Sequence, residues 1–184
     1  MKHLGTQYLE TERLILRKFT EKDAKAMFQN WASDKEVTKY LMWTELKTEE
    51  ESLNIIKEWI ESYEKEDYYQ WAIVIKNEGP DPIGCIGVSS YNDKVMMVHI
   101  GYSIGKKWWN QGITSEALKV IMDFFFDEVG VMRIESRHDP RNIYSGSVMK
   151  KCGMRYEGTL RMADWNNQGI CDAAYYALLK SERE

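Results

Sequence analysis

The run His99-Ile-Gly-Tyr-Ser-Ile-Gly-Lys-Lys-Trp-Trp-Asn-Gln-Gly-Ile-Thr-Ser-Glu-Ala117 decides how this chain folds. Its first part reads as a strand, its middle as a short basic loop containing glycines, and its end as the start of a helix. Unpaired N–H groups and the dipole at a helix start favour anions, phosphates above all. Gly112 allows close approach of a ligand to the backbone, and Lys106 and Lys107 add positive charge nearby. Two familiar phosphate motifs are excluded: no G-x-G-x-x-G follows a strand, and Gly101-x-x-x-Gly105-Lys106 is one residue short of a P-loop and lacks its Ser or Thr. On the residues alone the loop is either a phosphate site or an ordinary polar turn.

Outward from this run, periodicity sorts the chain into strands and helices. Downstream, Leu118, Ile121, Met122 and Phe125 recur at i, i+3, i+4 and i+7, predicting a helix from about Thr114 to Asp127. Val120, Phe124 and Phe126 widen its apolar band, so burial on more than one side is expected. A strand over 133–138, a helix over 145–151 and a final strand over 173–179 follow. Upstream, runs over 71–75, 83–91 and 95–104 read as strands, the last two joined by a short turn at Tyr91–Lys94 that suggests a hairpin. Arg13–Arg17 is a first strand. Thr20 with Asp23, and Thr48 with Glu51, mark two earlier helix starts. Strands that begin antiparallel and end in βαβ style indicate an α+β or mixed α/β sandwich.

Composition narrows the function. The 184 residues suit a single domain over 1–184, without repeats or linkers. Lys and Arg number 25 against 29 Asp and Glu, a net charge of −4, which is no footprint of nucleic-acid binding. No apolar run approaches the ~20 residues that span a bilayer, and Met1–Thr6 lacks the apolar core of a secretory leader, so a cytoplasmic protein is expected. Cys85, Cys152 and Cys171 form no CxxC pair, and His3, His99 and His138 have no ligand spacing, so neither disulfides nor a metal site are expected.

Four stretches in order carry a resemblance. Trp109-Asn-Gln-Gly-Ile-Thr-Ser-Glu-Ala117 resembles the acetyl-CoA pyrophosphate loop of the GNAT superfamily. The branch it resembles is the ribosomal-protein N-terminal acetyltransferases, whose pattern is approximately W-G-x-G-x-A-T-E-A. Asn142-x-x-Ser145-x-x-Val148-x-x-Lys151-x-Gly153-Met154 is similar to the family's N-x-x-S-x-x-V-x-x-K-x-G-F. Glu12–Arg17, with Asp23, Trp31, Asp34 and Val37–Leu41, and then Glu157–Arg161 complete the set. Asn110 and Thr114 stand where the family has Gly and Ala or Gly.

The resemblance implies a splayed mixed sheet of about seven strands flanked by helices, open between its fourth and fifth strands. It implies acetyl-CoA as cosubstrate, with pantetheine along Tyr102, Ser103 and Ile104 and near Asn142. Pyrophosphate would then lie on Trp109, Asn110, Gln111, Gly112, Ile113 and Thr114. It implies acetyl transfer to a primary amine, a protein or peptide N-terminus in this branch, with polyamines and small amines as alternatives. A non-catalytic acyl-CoA sensor is the rival from another class. Direct attack by the amine needs no enzyme nucleophile, so the lack of a Ser-His-Asp constellation is no objection. The oligomeric state is not legible in the residues; the branch commonly forms homodimers.

Two catalytic candidates follow. Ser145 aligns with a family serine that protonates the departing thiolate, and is also placed to cap the following helix. His99 replaces a Glu frequent in the branch; its ordinary pKa of about 6.5 suits a base, while a strand histidine satisfied by neighbours is the plainer reading. Tyr40, Trp43, Tyr91 and Trp165 fall on segments that approach the acceptor in this family, and an aromatic groove there would hold an amine.

Overall fold

The computed structural model describes residues 1–183. Its strands are β1 (Leu9–Glu10), β2 (Leu14–Arg17), β3 (Gln70–Ile75), β4 (Pro82–Asn92), β5 (Met97–Ile104), β6 (Arg133–His138), β7 (Arg155–Asn166) and β8 (Gly169–Leu179). The helices are α1 (Ala24–Met27), α2 (Lys35–Thr38), α3 (Glu49–Ser62), α4 (Ile113–Phe124) and α5 (Ile143–Lys151). The strands form one sheet in the order β1-β2-β3-β4-β5-β6-β8-β7. β5 and β6 are its parallel pair, and the other neighbours run antiparallel.

Alternation along the strands sorts side chains to two faces. Trp71 and Ile73 join Leu14, Leu16, Ile86, Val98 and Ile100 in the larger core, which α4 covers with Leu118, Ile121 and Met122. Ala72 points the other way, into a smaller cluster of Phe19, Met27, Trp31 and Ile56 from the α1 and α3 side. The Thr48–Glu51 box caps α3 as expected: Thr48 Oγ1 accepts from Glu51 N at 3.2 Å, and Glu51 reaches back to the Thr48 amide.

α4 is one long helix that closes on a π turn, Phe125–Val129, before Gly130 ends it at φ +80°. The wider turn lets Phe124, Phe125 and Phe126 all be buried, two of them edge-on to Trp71. Burial on several sides, read from the apolar band, is what the structure has.

The sheet departs from expectation in three places. It has eight strands where about seven were expected: β1 is only two residues long, and β7 is exposed along most of its length. Because β1 leads the count, the parting falls between the fifth and sixth strands, not the fourth and fifth. β5 and β6 pair only from Met97–Arg133 to His99–Glu135, although both strands continue. Beyond that point the Ile100 carbonyl accepts from the Ser136 hydroxyl at 2.7 Å, so a side chain satisfies the backbone where the ladder ends. Third, α5 begins two residues earlier than expected, and its N-cap is Asn142, not Ser145.

Candidate active site

The loop that enters α4 has a backbone only a few residue types tolerate. Asn110 lies at φ +60° and Gly112 at φ +75°, both in the left-handed region. Asn is among the side chains that accept this region most readily, which explains how it stands in a position where glycine is usual. The first bond within α4 runs from Glu116 N to Gly112 O at 3.0 Å, and no side chain caps the helix. The amides ahead of Glu116 are therefore left without intrahelical acceptors at the positive end of a helix dipole.

The loop is held by Arg13 of the segment entering β2. Its guanidinium donates to the Gln111 carbonyl at 3.1 Å and to Glu116 Oε2 at 2.7 Å. Burial alone would raise the Glu116 carboxyl; hydrogen bonds from Thr11 and Arg13 outweigh it and hold the pKa below the usual range. Of the two lysines beside the loop, Lys106 is paired with Glu36 and Lys107 lies over the Trp108 ring.

In front of this loop, between the end of β5 and the loop and helix that follow β6, is a cavity of about 770 Å³. Tyr102, Ser103 and Ile104 come to its wall from β5; Trp109, Asn110, Gly112, Ile113 and Thr114 from the loop; and Asn142 and Ser145 from α5. Tyr40 joins from the segment after α2. Gln111 does not; its Nε2 donates back to the Lys107 carbonyl at 2.9 Å. Lys39, Arg141 and Tyr144 also line the cavity, with no site role read for them in the sequence, and so does Lys151, a position of the α5 motif. Tyr144 stacks on Trp109 with centroids 6.3 Å apart, a pairing of residues distant in sequence that no local pattern announces.

Ser145 is free of capping duty, since the Asn142 side chain accepts from the Ser145 amide at 3.4 Å. Its hydroxyl donates instead to the Tyr102 hydroxyl at 3.2 Å, and Tyr102 donates to the Ser145 carbonyl at 2.9 Å. Two hydroxyls thus bridge β5 and α5 at the cavity wall. Burial raises the Tyr102 pKa, so the phenol keeps its proton. Ser103 Oγ is buried there with no protein hydrogen-bond partner among the described residues, a polar group that a ligand could satisfy.

His99 lies deeper in the sheet and is not a wall of this cavity. It is 5% exposed, with Nδ1 at 3.2 Å from Glu135 Oε1 and Nε2 at 3.4 Å from an Arg137 nitrogen. Burial lowers its pKa below the ordinary histidine value and the Glu135 hydrogen bond only partly offsets this, so the ring is neutral at neutral pH.

Residues 13–155 match the family described as acetyltransferase (GNAT) domain. This chain belongs to the GNAT acetyltransferase family. It is 30% identical over 172 residues to the N-acetyltransferase YoaA of Bacillus subtilis, covering 94% of this chain and 96% of that protein. Over 83 residues it is 31% identical to the uS5-alanine N-acetyltransferase of Escherichia coli, 43% of each chain. A GNAT-family acetyltransferase structure from Bacillus anthracis superposes with a TM-score of 0.82 at 29% identity, covering 96% of this chain and all, 100%, of that one. The protein is an N-acetyltransferase with acetyl-CoA as its cosubstrate.

This GNAT chain presents its aromatic candidates unevenly. Tyr40 lines the cavity. Trp43 packs half-buried against the α1–α3 cluster, and its carbonyl accepts from Asn167 Nδ2 at 2.8 Å. Tyr91 is turned to the far end of β4, where its hydroxyl meets Asp67 and its ring meets His3 at 4.9 Å. Trp165 sits on β7, 55% exposed. The structure therefore brings one of the four to the cavity. Burial pushes the Cys85 thiol up to about 12 and the Cys152 thiol to about 11, so neither is a thiolate at neutral pH. Among the described residues no helix is long and apolar enough to cross a membrane.

Proposed function

We propose that the protein, as one catalytic domain over residues 1–184, moves the acetyl group of acetyl-CoA to the N-terminal amine of a protein or peptide. The observation that carries this reading is the uncapped start of α4 opening onto the cavity between the end of β5 and α5. A diphosphate suits the amides before Glu116, and the orphaned Ser103 hydroxyl suits a polar chain laid along β5. The kinship to the uS5-alanine N-acetyltransferase supports the choice of acceptor.

Acetyl-CoA supplies an activated acyl group whose thiolate leaves with a pKa near that of cysteine, about 8.5. The chain's own part is proton handling and placement. Ser145 and Tyr102 offer protons at the cavity wall. His99, neutral and with one nitrogen lone pair, takes the proton that an acceptor ammonium must lose. Tyr40 flanks the acceptor.

The test incubates the purified protein with acetyl-CoA and either peptides with different N-termini or polyamines. Free thiol and acceptor mass are followed together. Acetylated peptide N-termini support the reading; acetylated polyamines alone would move the acceptor to small amines. CoA binding without transfer to any acceptor would favour the sensor.

A further inference from the structure

On the sheet face away from α4, charged side chains form a row across three strands. On β6, Arg133, Glu135 and Arg137 alternate with Ile134 and Ser136, which point the other way and are buried. Glu135 is the direct cross-strand partner of His99. Its Oε2 is held by Arg133, at 3.1 Å from Nε and 2.9 Å from a terminal nitrogen, and Arg133 is held in turn by Glu157 of β7. Arg137 donates through Nε to Asp164 of β7 at 2.5 Å. Both charged groups that touch the His99 ring are thus fixed at their far side by an opposite charge.

We infer that Glu135 and Arg137 are positioning residues for His99, holding its imidazole with the proton on Nδ1 and the lone pair on Nε2. The inference rests on the reading above that His99 accepts the acceptor's proton. A carboxylate only accepts hydrogen bonds, so Nδ1 at 3.2 Å must donate to Glu135. A guanidinium only donates, so Nε2 at 3.4 Å must accept from Arg137. One neutral tautomer satisfies both neighbours, and it leaves Nε2 as the basic atom.

The Arg137 contact is also the longer of the two and the one to open. Next along the same strand face stands Gly101, exposed, where an added Cβ would meet nothing within 4 Å. That open space beside Gly101 is where a bridging water would carry the amine's proton to the ring. The ammonium then gives one proton to Nε2; the ring becomes imidazolium and later returns that proton to solvent, while the amine's lone pair is freed for attack. Imidazolium strengthens the bond to Glu135 and turns the Arg137 contact into a repulsion between two donors. The two neighbours therefore pull the titration in opposite directions. The other groups facing His99 are Asp164 on β7, the Tyr175 ring at 6.4 Å on β8, and Ser89 on β4, whose hydroxyl donates to the His99 carbonyl.

The test compares wild type, Glu135→Gln and Arg137→Met, all saturated with CoA for NMR of the His99 ring nitrogens, and all assayed for kcat/KM against pH. In wild type the ring proton is expected on Nδ1. Glu135→Gln should lower the His99 titration and carry the acidic limb of kcat/KM about 1 pH unit or more lower. Arg137→Met should move both upward. A purely structural role would change stability without opposite displacements. A wild-type proton on Nε2, or a titration unmoved in both variants, overturns the inference. If the ring titration moves both ways as expected but the activity limb stays, the positioning stands and His99 as base fails.

Discussion

Replacing Gly112 by alanine perturbs one feature of the proposed anion site on its own, the left-handed backbone at the head of α4. Space is not the obstacle: a Cβ there would find Arg13, the end of a flexible side chain, at 3.6 Å. The obstacle is φ at +75°, which costs an L-residue with a Cβ roughly 1–2 kcal/mol. For a domain of this length that is a fall in Tm of roughly 2–8 °C. If the loop escapes the strain by rotating, the amides ahead of Glu116 turn from the cavity, and CoA binding weakens by up to the same energy, about 5–30-fold. Gly130→Ala is the matched control, because Gly130 sits at φ +80° with nothing within 4 Å, at the opposite end of α4. It should lose similar stability and no CoA affinity. Thermal melts and calorimetric CoA titration of both variants decide the matter. Equal CoA weakening in the two, or none in Gly112→Ala together with an unchanged Tm, would refute the reasoning.

Three further outcomes follow from packing and charge. Gly84→Ala places a Cβ 2.4 Å from the Ser103 carbonyl oxygen, so β4 and β5 must part; a loss of about 1–3 kcal/mol or more is expected in urea unfolding, and an unchanged midpoint would contradict the close approach. Thr48→Ala removes the α3 cap and should cost about 0.5–2 kcal/mol while leaving acetyl transfer intact, since no residue of α3 lines the cavity. Asp139 gives a pH signature. Burial pushes its carboxyl up, but hydrogen bonds from Arg141 and Asn166 outweigh this and hold it well below the usual range. A depressed folded pKa adds stability that is present above the unfolded value of about 3.9 and is lost as pH falls through the folded one. The stability gap between wild type and Asp139→Asn should therefore narrow as pH drops below about 4, and a gap that widens there would contradict the assignment.

The legible parts of this protein were those written in local pattern. The strand, loop and helix around Gly112 could be read because strand period, glycine punctuation and helix period follow one another within 19 consecutive residues, His99 to Ala117. The Thr48–Glu51 cap was equally local. β7 was not, because an exposed strand at the sheet edge with two register shifts shows no apolar alternation. The π turn at Phe125–Val129 was hidden, since three consecutive phenylalanines look the same in any wide helix. Asn142 and Ser145 were both visible as polar residues near a helix start, but which one caps depends on where the first turn closes. The partners of His99 could not be foreseen at all: Glu135 and Arg137 lie 36 and 38 residues away and meet it only through parallel pairing.

The measurement that tests the central claim most directly is amide hydrogen exchange with and without acetyl-CoA. Amides ahead of Glu116 have no intrahelical acceptor and should exchange quickly in the free protein. Acetyl-CoA should slow exchange at Gly112–Ser115 and along Tyr102–Ile104, while leaving the β1–β2 edge and the α3 helix unchanged. Protection elsewhere, with the start of α4 still exchanging freely, would contradict the account.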